Sequence, residues 1–307
     1  MMKYVVTGGA GFIGSHLTEK LVEQGNQVTI IDNLNTGKEK NLDHIKKEIN
    51  FIKGDILDEK LINEITQDVN GVFHQAALAS VQDSFTKPDE YRKVNVIGTK
   101  NIFEASKKNN FKVVYASSSS VYGNPEHIPI KESDAKNPFN PYAKTKLKDE
   151  ELAIEYASEG AEIIGLRYFN GFGKRQSKEY AGVIKLFLDQ IKKKESPIVN
   201  GDGTQFRDFV HVSDVVNANI LSMNSKIKHA FYNVGTNSSI TILDLANSII
   251  KSSGLNLKPK FRKALEGDVD KTLSDITLIQ KEIQWNPTIK LEDWLDMIIT
   301  SGEIDEV

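Results

Sequence analysis

The sequence predicts an α/β fold: a Rossmann-type, doubly wound parallel sheet with a smaller C-terminal α/β substrate-binding domain. Three observations carry this. Short β-branched runs alternate with helix-length stretches through the first half, a glycine-rich turn joins the first run to the first helix, and the alternation stops beyond Asn170. Strands separated by helices need crossover connections, which make the strands parallel and cover both faces of the sheet.

The first strand is Tyr4-Val5-Val6-Thr7, followed by a helix whose Ile13, Leu17 and Leu21 recur every four residues on one face. Further strands are predicted at Gln27–Ile31, Asn50–Lys53 and Gly71–His74. A long helix from about Asp89 to Lys108 leads into Lys112–Ala116, and a helix near Tyr142–Ala157 into Ile163–Tyr168. Beyond Asn170 come a Gly/Lys-rich loop, a helix near Gly182–Lys193 and the turn Asn200-Gly201-Asp202-Gly203. Arg207–His211 reads as one strand and Val212–Met223 as a helix, with Trp294, Ile298 and Ile299 as a last apolar face. Residues 1–168 plus about 206–236 are assigned to a dinucleotide-binding domain, and about 169–205 plus 237–307 to a second domain.

The 307 residues are 39% hydrophobic and 26% charged, enough apolar material for a full core. A net charge of −3 argues against coating a nucleic acid, which takes a clear Lys/Arg excess. The absence of cysteine excludes disulfides, thiolate metal sites and a thiol nucleophile, and no metal is expected. No apolar run approaches a membrane span, and a strand starts at Lys3 where an export signal would lie, so a cytoplasmic protein is expected.

Gly8, Gly11 and Gly14 are spaced G-x-x-G-x-x-G between the first strand and first helix. The first permits a tight turn, the second lets backbone approach a pyrophosphate, and the third allows close helix–sheet packing. The helix N-terminus beyond them offers free N–H groups and partial positive charge. Asp32 stands 18 residues after Gly14, at the end of the second strand. A carboxylate there accepts ribose hydroxyls and repels a 2′-phosphate, which favours NAD over NADP. Asp55, after the third strand, is a second candidate for the adenosine end.

Tyr142 and Lys146 are four residues apart, so on a helix they share one face, a turn apart. The ammonium favours phenolate over phenol and lowers the tyrosine pKa from about 10. Ser117 to Ser120 follow the fifth strand at the carboxyl edge of the sheet, where ligands bind in such folds. A serine there can hold the reacting oxygen beside Tyr142.

With these elements in order, the chain resembles the extended short-chain dehydrogenase/reductases, specifically the nucleotide-sugar epimerase/dehydratase family. The matching segments are Thr7–His16, Asp32-Asn33-Leu34, Gly54-Asp55-Ile56, His74–Ala77, Val94–Thr99, Ser118–Gly123 and Pro141–Lys146. Arg167–Asn170, Gly201-Asp202-Gly203, Arg207–Val210 and Gly267-Asp268-Val269 continue the likeness. The resemblance implies NAD as cofactor, held by Gly8, Gly11, Phe12, Ile13 and Gly14 at the turn and by Asp32, Asn33, Asp55 and Ile56 at the adenosine. Gln75, Ala76, Ala77, Asn95, Ser117, Tyr142, Lys146 and Tyr168 complete the cofactor set.

The dehydratases of this family carry Asp-Glu just before the Val-Tyr-Gly element, and the decarboxylases keep a Glu. Here those positions are Ser119 and Ser120, neither of which is a carboxylic acid. The resemblance therefore implies NAD-dependent C4 epimerisation of a UDP-hexose through a 4-keto sugar. Ser118, Tyr142 and Lys146 are the implied catalytic residues. Ser118, Ser119, Asn170, Ala181, Val183, Arg207, Asp268 and Thr272 are the implied substrate contacts.

Two positions depart from the family, Leu265 and Asp270, where relatives place arginines. Thr272 stands at the family's gatekeeper position, where a bulky Tyr excludes N-acetylated sugars and a small residue admits them. The resemblance also implies a homodimer built through the helices near 89–108 and 142–158. A 4-epimerase of a GDP- or dTDP-sugar or of UDP-glucuronate is the alternative, and a non-catalytic NAD-binding regulator a further one.

Overall fold

The computed structural model describes residues 1–176, 182–264 and 269–307. Its first half runs β1 (Lys3–Thr7), α1 (Phe12–Glu23), β2 (Gln27–Asp32), β3 (Ile49–Lys53), α2 (Glu59–Ile65), β4 (Gly71–His74), α3 (Val81–Thr86) and α4 (Pro88–Tyr91). A π-helical stretch, Arg92–Ile97, continues into α5 (Gly98–Asn109), followed by β5 (Lys112–Ser118), α6 (Pro141–Ser158) and β6 (Ile163–Tyr168). Then come β7 (Asn170–Phe172), α7 (Val183–Lys192), β8 (Ile198–Asn200), β9 (Phe206–Arg207), β10 (Phe209–His211), α8 (Val212–Asn224) and β11 (His229–Val234). The chain closes with β12 (Ile240–Thr241), α9 (Ile242–Ser253), β13 (Lys260–Arg262), α10 (Thr277–Ile283) and α11 (Leu291–Ser301).

Seven strands form one sheet in the order β11-β6-β5-β4-β1-β2-β3, every pairing parallel. The order reverses beside β1, so a crevice opens at the carboxyl ends of β1 and β4. Alternate residues of a strand face opposite layers. Tyr4, Val6, Ile30, Phe73 and Val114 meet Leu17 and Leu21 of α1 and Val215 of α8 on one side. Val5, Ile31, Val72 and Val113 meet Ile102 and Phe103 of α5 and Leu152 of α6 on the other.

A separate apolar cluster joins Phe187 and Leu188 of α7, Leu245 and Ile249 of α9, and Trp294 and Ile298 of α11. Within the tail, however, Ile279, Ile283 and Trp285 pack into the sheet's own core. Trp285 is fully buried, and its indole N–H donates to the Asp214 carbonyl at 2.9 Å.

Two elements differ from the sequence expectation. The long helix expected over 89–108 is broken by the π-helical stretch, whose Asn95 side chain reaches out of the helix. It accepts from Leu78 N–H at 2.8 Å and donates to Leu78 O and Thr145 Oγ1, both at 3.0 Å. Arg207–His211, read as one strand, is two: β9 pairs antiparallel with β12 and β10 parallel with β7. Asp208 is the pivot. Its buried carboxylate accepts from Thr236 N–H and hydroxyl, Asn237 N–H, and Ser274 N–H and hydroxyl.

Candidate active site

The turn after β1 folds tightly on itself. Gly11 N–H donates to Gly8 O at 3.0 Å, and a Cβ on Gly14 would lie 2.1 Å from that same oxygen. Only glycine lets α1 start this close to the strand. The helix begins at Gly11 with no side-chain cap and no acidic residue in its first turn, so its leading N–H groups remain for an anion.

This turn borders a cavity of about 700 Å³, lined by Gly8, Gly11, Phe12, Ile13, Gly14, Asp32, Asn33, Asp55, Ile56, Gln75, Ala76, Ala77 and Tyr168. Most of the expected cofactor residues are thus brought together. At one end Asn33 donates to Asp55 Oδ2 at 3.0 Å. Asp32 is buried, its Oδ2 accepting from Ala10 N–H at 3.0 Å and its Oδ1 from Leu34 N–H at 2.8 Å. Burial raises its pKa and those two backbone donors pull it back. At the other end the Tyr168 hydroxyl bonds Gln75 Oε1 and Asn219.

The catalytic candidates lie on β5 and α6, which pack together. Asn140 caps α6, its side chain accepting from Ala143 N–H at 2.8 Å, and Pro141 opens the first turn. Tyr142 is half-buried in that first turn. One turn on, Lys146 is buried, and its Nζ donates to Ala116 O at 2.9 Å and to Asp149 Oδ2 at 3.4 Å. Ser117, expected at the cofactor, is buried and donates to Glu150 Oε1 at 2.8 Å. Ser118 Oγ accepts from Ser120 N–H at 3.2 Å and its hydroxyl at 2.9 Å, which leaves the Ser118 proton to donate elsewhere. Ser119 is half-buried and opens the 3-10 turn Ser119–Tyr122.

Behind Lys146, His74 is sealed between Thr7 Oγ1 at 2.7 Å and Thr99 Oγ1 at 2.8 Å. Burial, then the Lys146 charge, lowers its pKa to about 3, so it stays neutral.

Asn170, Arg207 and Thr272 converge on Asp208. Asn170 Nδ2 donates to Asp208 O at 2.8 Å and Thr272 Oγ1 at 3.2 Å, and Asp208 N–H donates to the same hydroxyl at 3.2 Å. Arg207 is buried, with Nη1 donating to Phe206 O and Asp270 O. Asp270, a departure from the family pattern, thus anchors an arginine through its carbonyl. Val183 starts α7 and packs against the third apolar cluster. Ala181, Leu265 and Asp268 lie outside the described residues.

Asn95, Ser117 and Lys146 are closed in by protein partners, and neither they nor Ser118 and Tyr142 line the cavity; the hydrogen bonds of the first three brace α6 and β5. Conversely, Lys93, Arg175 and Gln176 line it without having been singled out for the site. Arg175 has a positive φ of 68° and bonds Glu19 Oε2 at 2.8 Å, while its Nη1 has no partner among the described residues. The Gly/Lys-rich loop marked this stretch, but no spacing rule turns a loop arginine toward a cavity. Among the described residues no helix is long and apolar enough to cross a membrane.

Residues 4–235 match the family described as NAD dependent epimerase/dehydratase. Among solved structures, a UDP-N-acetylglucosamine 4-epimerase from Methanobrevibacter ruminantium, in complex with UDP-N-acetylmuramic acid, superposes with a TM-score of 0.93 at 38% identity, covering 99% of both chains. A UDP-glucose 4-epimerase from Thermotoga maritima with UDP-glucose also gives 0.93, at 34% identity, covering 98% of this chain and 99% of that one. A UDP-N-acetyl-α-D-glucosaminuronate decarboxylase from Bacillus cytotoxicus is 35% identical over 95% of this chain and 94% of its own.

Proposed function

The chain belongs to the NAD-dependent epimerase/dehydratase family, and from that premise we propose that it interconverts the C4 epimers of a UDP-hexose, UDP-galactose and UDP-glucose, with the N-acetylated forms as further substrates. The observation that carries this is the serine run after β5. Ser119 and Ser120 stand where elimination or decarboxylation takes a carboxylate, while Tyr142 and Lys146 keep the pair that oxidation at one carbon requires. The same serines weigh against the activity named for the decarboxylase relative.

NAD fits the cavity on structural grounds: an uncapped helix N-terminus behind a glycine cradle for the pyrophosphate, and a buried Asp32 for the ribose. When bound, NAD supplies hydride acceptance and return at C4. Gly8, Gly11 and Gly14 seat the pyrophosphate, while Asn33, Asp55 and Ile56 border the adenosine. Tyr142 takes the proton from the sugar 4-hydroxyl and later gives it back. Ser118 donates its free proton to that same oxygen. Lys146 is held one turn behind Tyr142, its ammonium on Ala116 O. Asn170 and Arg207 are the residues assigned to the nucleotide diphosphate, and the small Thr272 is assigned to the sugar's N-acetyl side.

Pairing of two copies through α5 and α6 is part of the same reading. Ile102, Phe103, Leu152 and Tyr156 are spent on the core, and Ile97 and Ile154 stay outward, 43% and 55% exposed. Light scattering of the purified protein at dimer mass supports this, and monomer mass removes it.

The deciding experiment is conversion of UDP-galactose and UDP-GalNAc, with and without added NAD, with products separated by anion exchange. Formation of the C4 epimers establishes the reaction and ranks the substrates. No conversion by an NAD-loaded protein overturns the UDP-hexose assignment, and competition with GDP and dTDP then tests another nucleotide.

A further inference from the structure

Three residues beyond Lys146, on the same face of α6, Asp149 is completely buried. Its Oδ2 lies 3.4 Å from Lys146 Nζ, and its Oδ1 has no hydrogen-bond partner among the described residues. A buried carboxylate with one oxygen unsatisfied is costly, and nothing in the epimerisation scheme above uses it. Its neighbour Glu150 is fully committed elsewhere, to Arg167 and Ser117, so Asp149 is the acidic group that faces Lys146 at ion-pair distance.

We propose that Asp149 is a positioning residue for the reaction, pairing with the Lys146 ammonium inside the protein, holding it against the end of β5 and setting the net positive charge that Tyr142 feels. The inference rests on the catalytic role given to Tyr142 and Lys146 above. The groups facing the pair come from each packed element. On α6 these are Lys146 itself and Glu150, the latter neutralised by Arg167 of β6. From β5 comes Tyr115, a buried phenol held well above its ordinary pKa, and from β4 the neutral His74. Arg92 and Lys93 of the π-helical stretch are exposed, and Glu104 of α5 is engaged by Lys100 and Tyr156.

With Asp149 ionised, the pair is neutral. With Asp149 protonated, one uncompensated positive charge remains behind Tyr142. Burial raises the Asp149 pKa from 3.8 to about 7, against the opposing pull of Lys146, so the changeover falls in the working pH range. An acid whose pKa is raised on folding adds stability below its unfolded value, and that stability is lost as pH rises through the folded value.

The test compares wild-type holoenzyme with Asp149→Asn, which keeps the shape and removes the charge, and with Asp149→Ser where the amide variant is poorly folded. In kcat/KM against pH, the two profiles are expected to part above about pH 7, where the wild type carries the Asp149 charge and the variant does not. The acidic limbs should coincide. Superimposed alkaline limbs, or a rate loss uniform at every pH, overturn the proposal. A second readout needs no substrate: the melting temperature of wild type minus that of Asp149→Asn should fall between pH 4 and pH 8. A flat difference also overturns it. If wild type converts no nucleotide sugar, the functional reading fails, and the melting comparison still decides whether Asp149 titrates as a buried acid.

Discussion

Arg167 and Glu150 form a two-point pair sealed between β6 and α6: Nε donates to Oε1 at 2.7 Å and Nη2 to Oε2 at 2.8 Å, with side-chain exposures of 1% and 2%. Its Nη1 also donates to the Tyr122 hydroxyl and Glu132 O, so four of the five guanidinium N–H groups have protein partners. Replacing Glu150 by Ala strips the anion from a buried cation, at a cost of about 3–5 kcal/mol. Urea unfolding checks this; a loss below about 1 kcal/mol contradicts it.

Tyr142→Phe removes one oxygen from a half-buried ring and leaves the cavity lining intact. Turnover should fall by about 10²–10⁴-fold, while NAD released on denaturation stays at the wild-type ratio. Loss of both together would place Tyr142 in binding rather than chemistry.

Thr272→Tyr tests the sugar pocket. The hydroxyl that receives Asn170 and Asp208 is displaced by a ring, and the rate with UDP-N-acetyl sugars should drop at least about tenfold relative to the plain hexoses. Thr272→Ser keeps the hydroxyl and should leave the ratio unchanged. Equal losses on both substrate classes remove the selectivity argument.

Gly14→Ala puts a methyl carbon 2.1 Å from Gly8 O, a backbone atom that cannot swing aside. The turn must open, with a stability loss of about 1–3 kcal/mol and reduced NAD content in the purified protein. Normal cofactor content would show that α1 can retreat without disturbing the cradle.

His74 makes stability depend on acid. Its pKa falls from 6.5 to about 3 on folding, chiefly through burial, so the unfolded chain takes up this proton first. The stability it contributes is complete above pH 6.5 and is lost as pH falls toward 3, on the order of 5 kcal/mol in all. His74→Gln should flatten the unfolding free energy across that window in equilibrium denaturation. An unchanged slope contradicts the assignment.

Much of the sheet and the cofactor cradle was legible because both rest on local rules. The β-branched runs marked the strands, and Gly8, Gly11 and Gly14 matched a turn whose geometry admits few other residues. Tyr142 and Lys146 lie a turn apart on α6 as their spacing predicts, but their roles came from the family resemblance and not from the spacing. Arg207–His211 misled because hydrophobicity cannot report that Asp208 gathers donors from 236, 237 and 274 and bends the chain between two partners. The π-helical stretch was hidden for a similar reason, since Asn95 takes its partners from Leu78 and Thr145. Asp149 carried a signal, its three-residue spacing from Lys146, but that spacing is also ordinary on solvated helix faces, and only burial separates the two cases.

The Asp208 carboxylate gathers backbone and hydroxyl donors from segments as far apart as Thr236 and Ser274. No one of these strands can let go without leaving a buried anion short of protons. The segments around 208, 236 and 274 should therefore open together, their amides exchanging with solvent at a common rate. These three segments would then behave as one cooperative unit rather than as three independent loops.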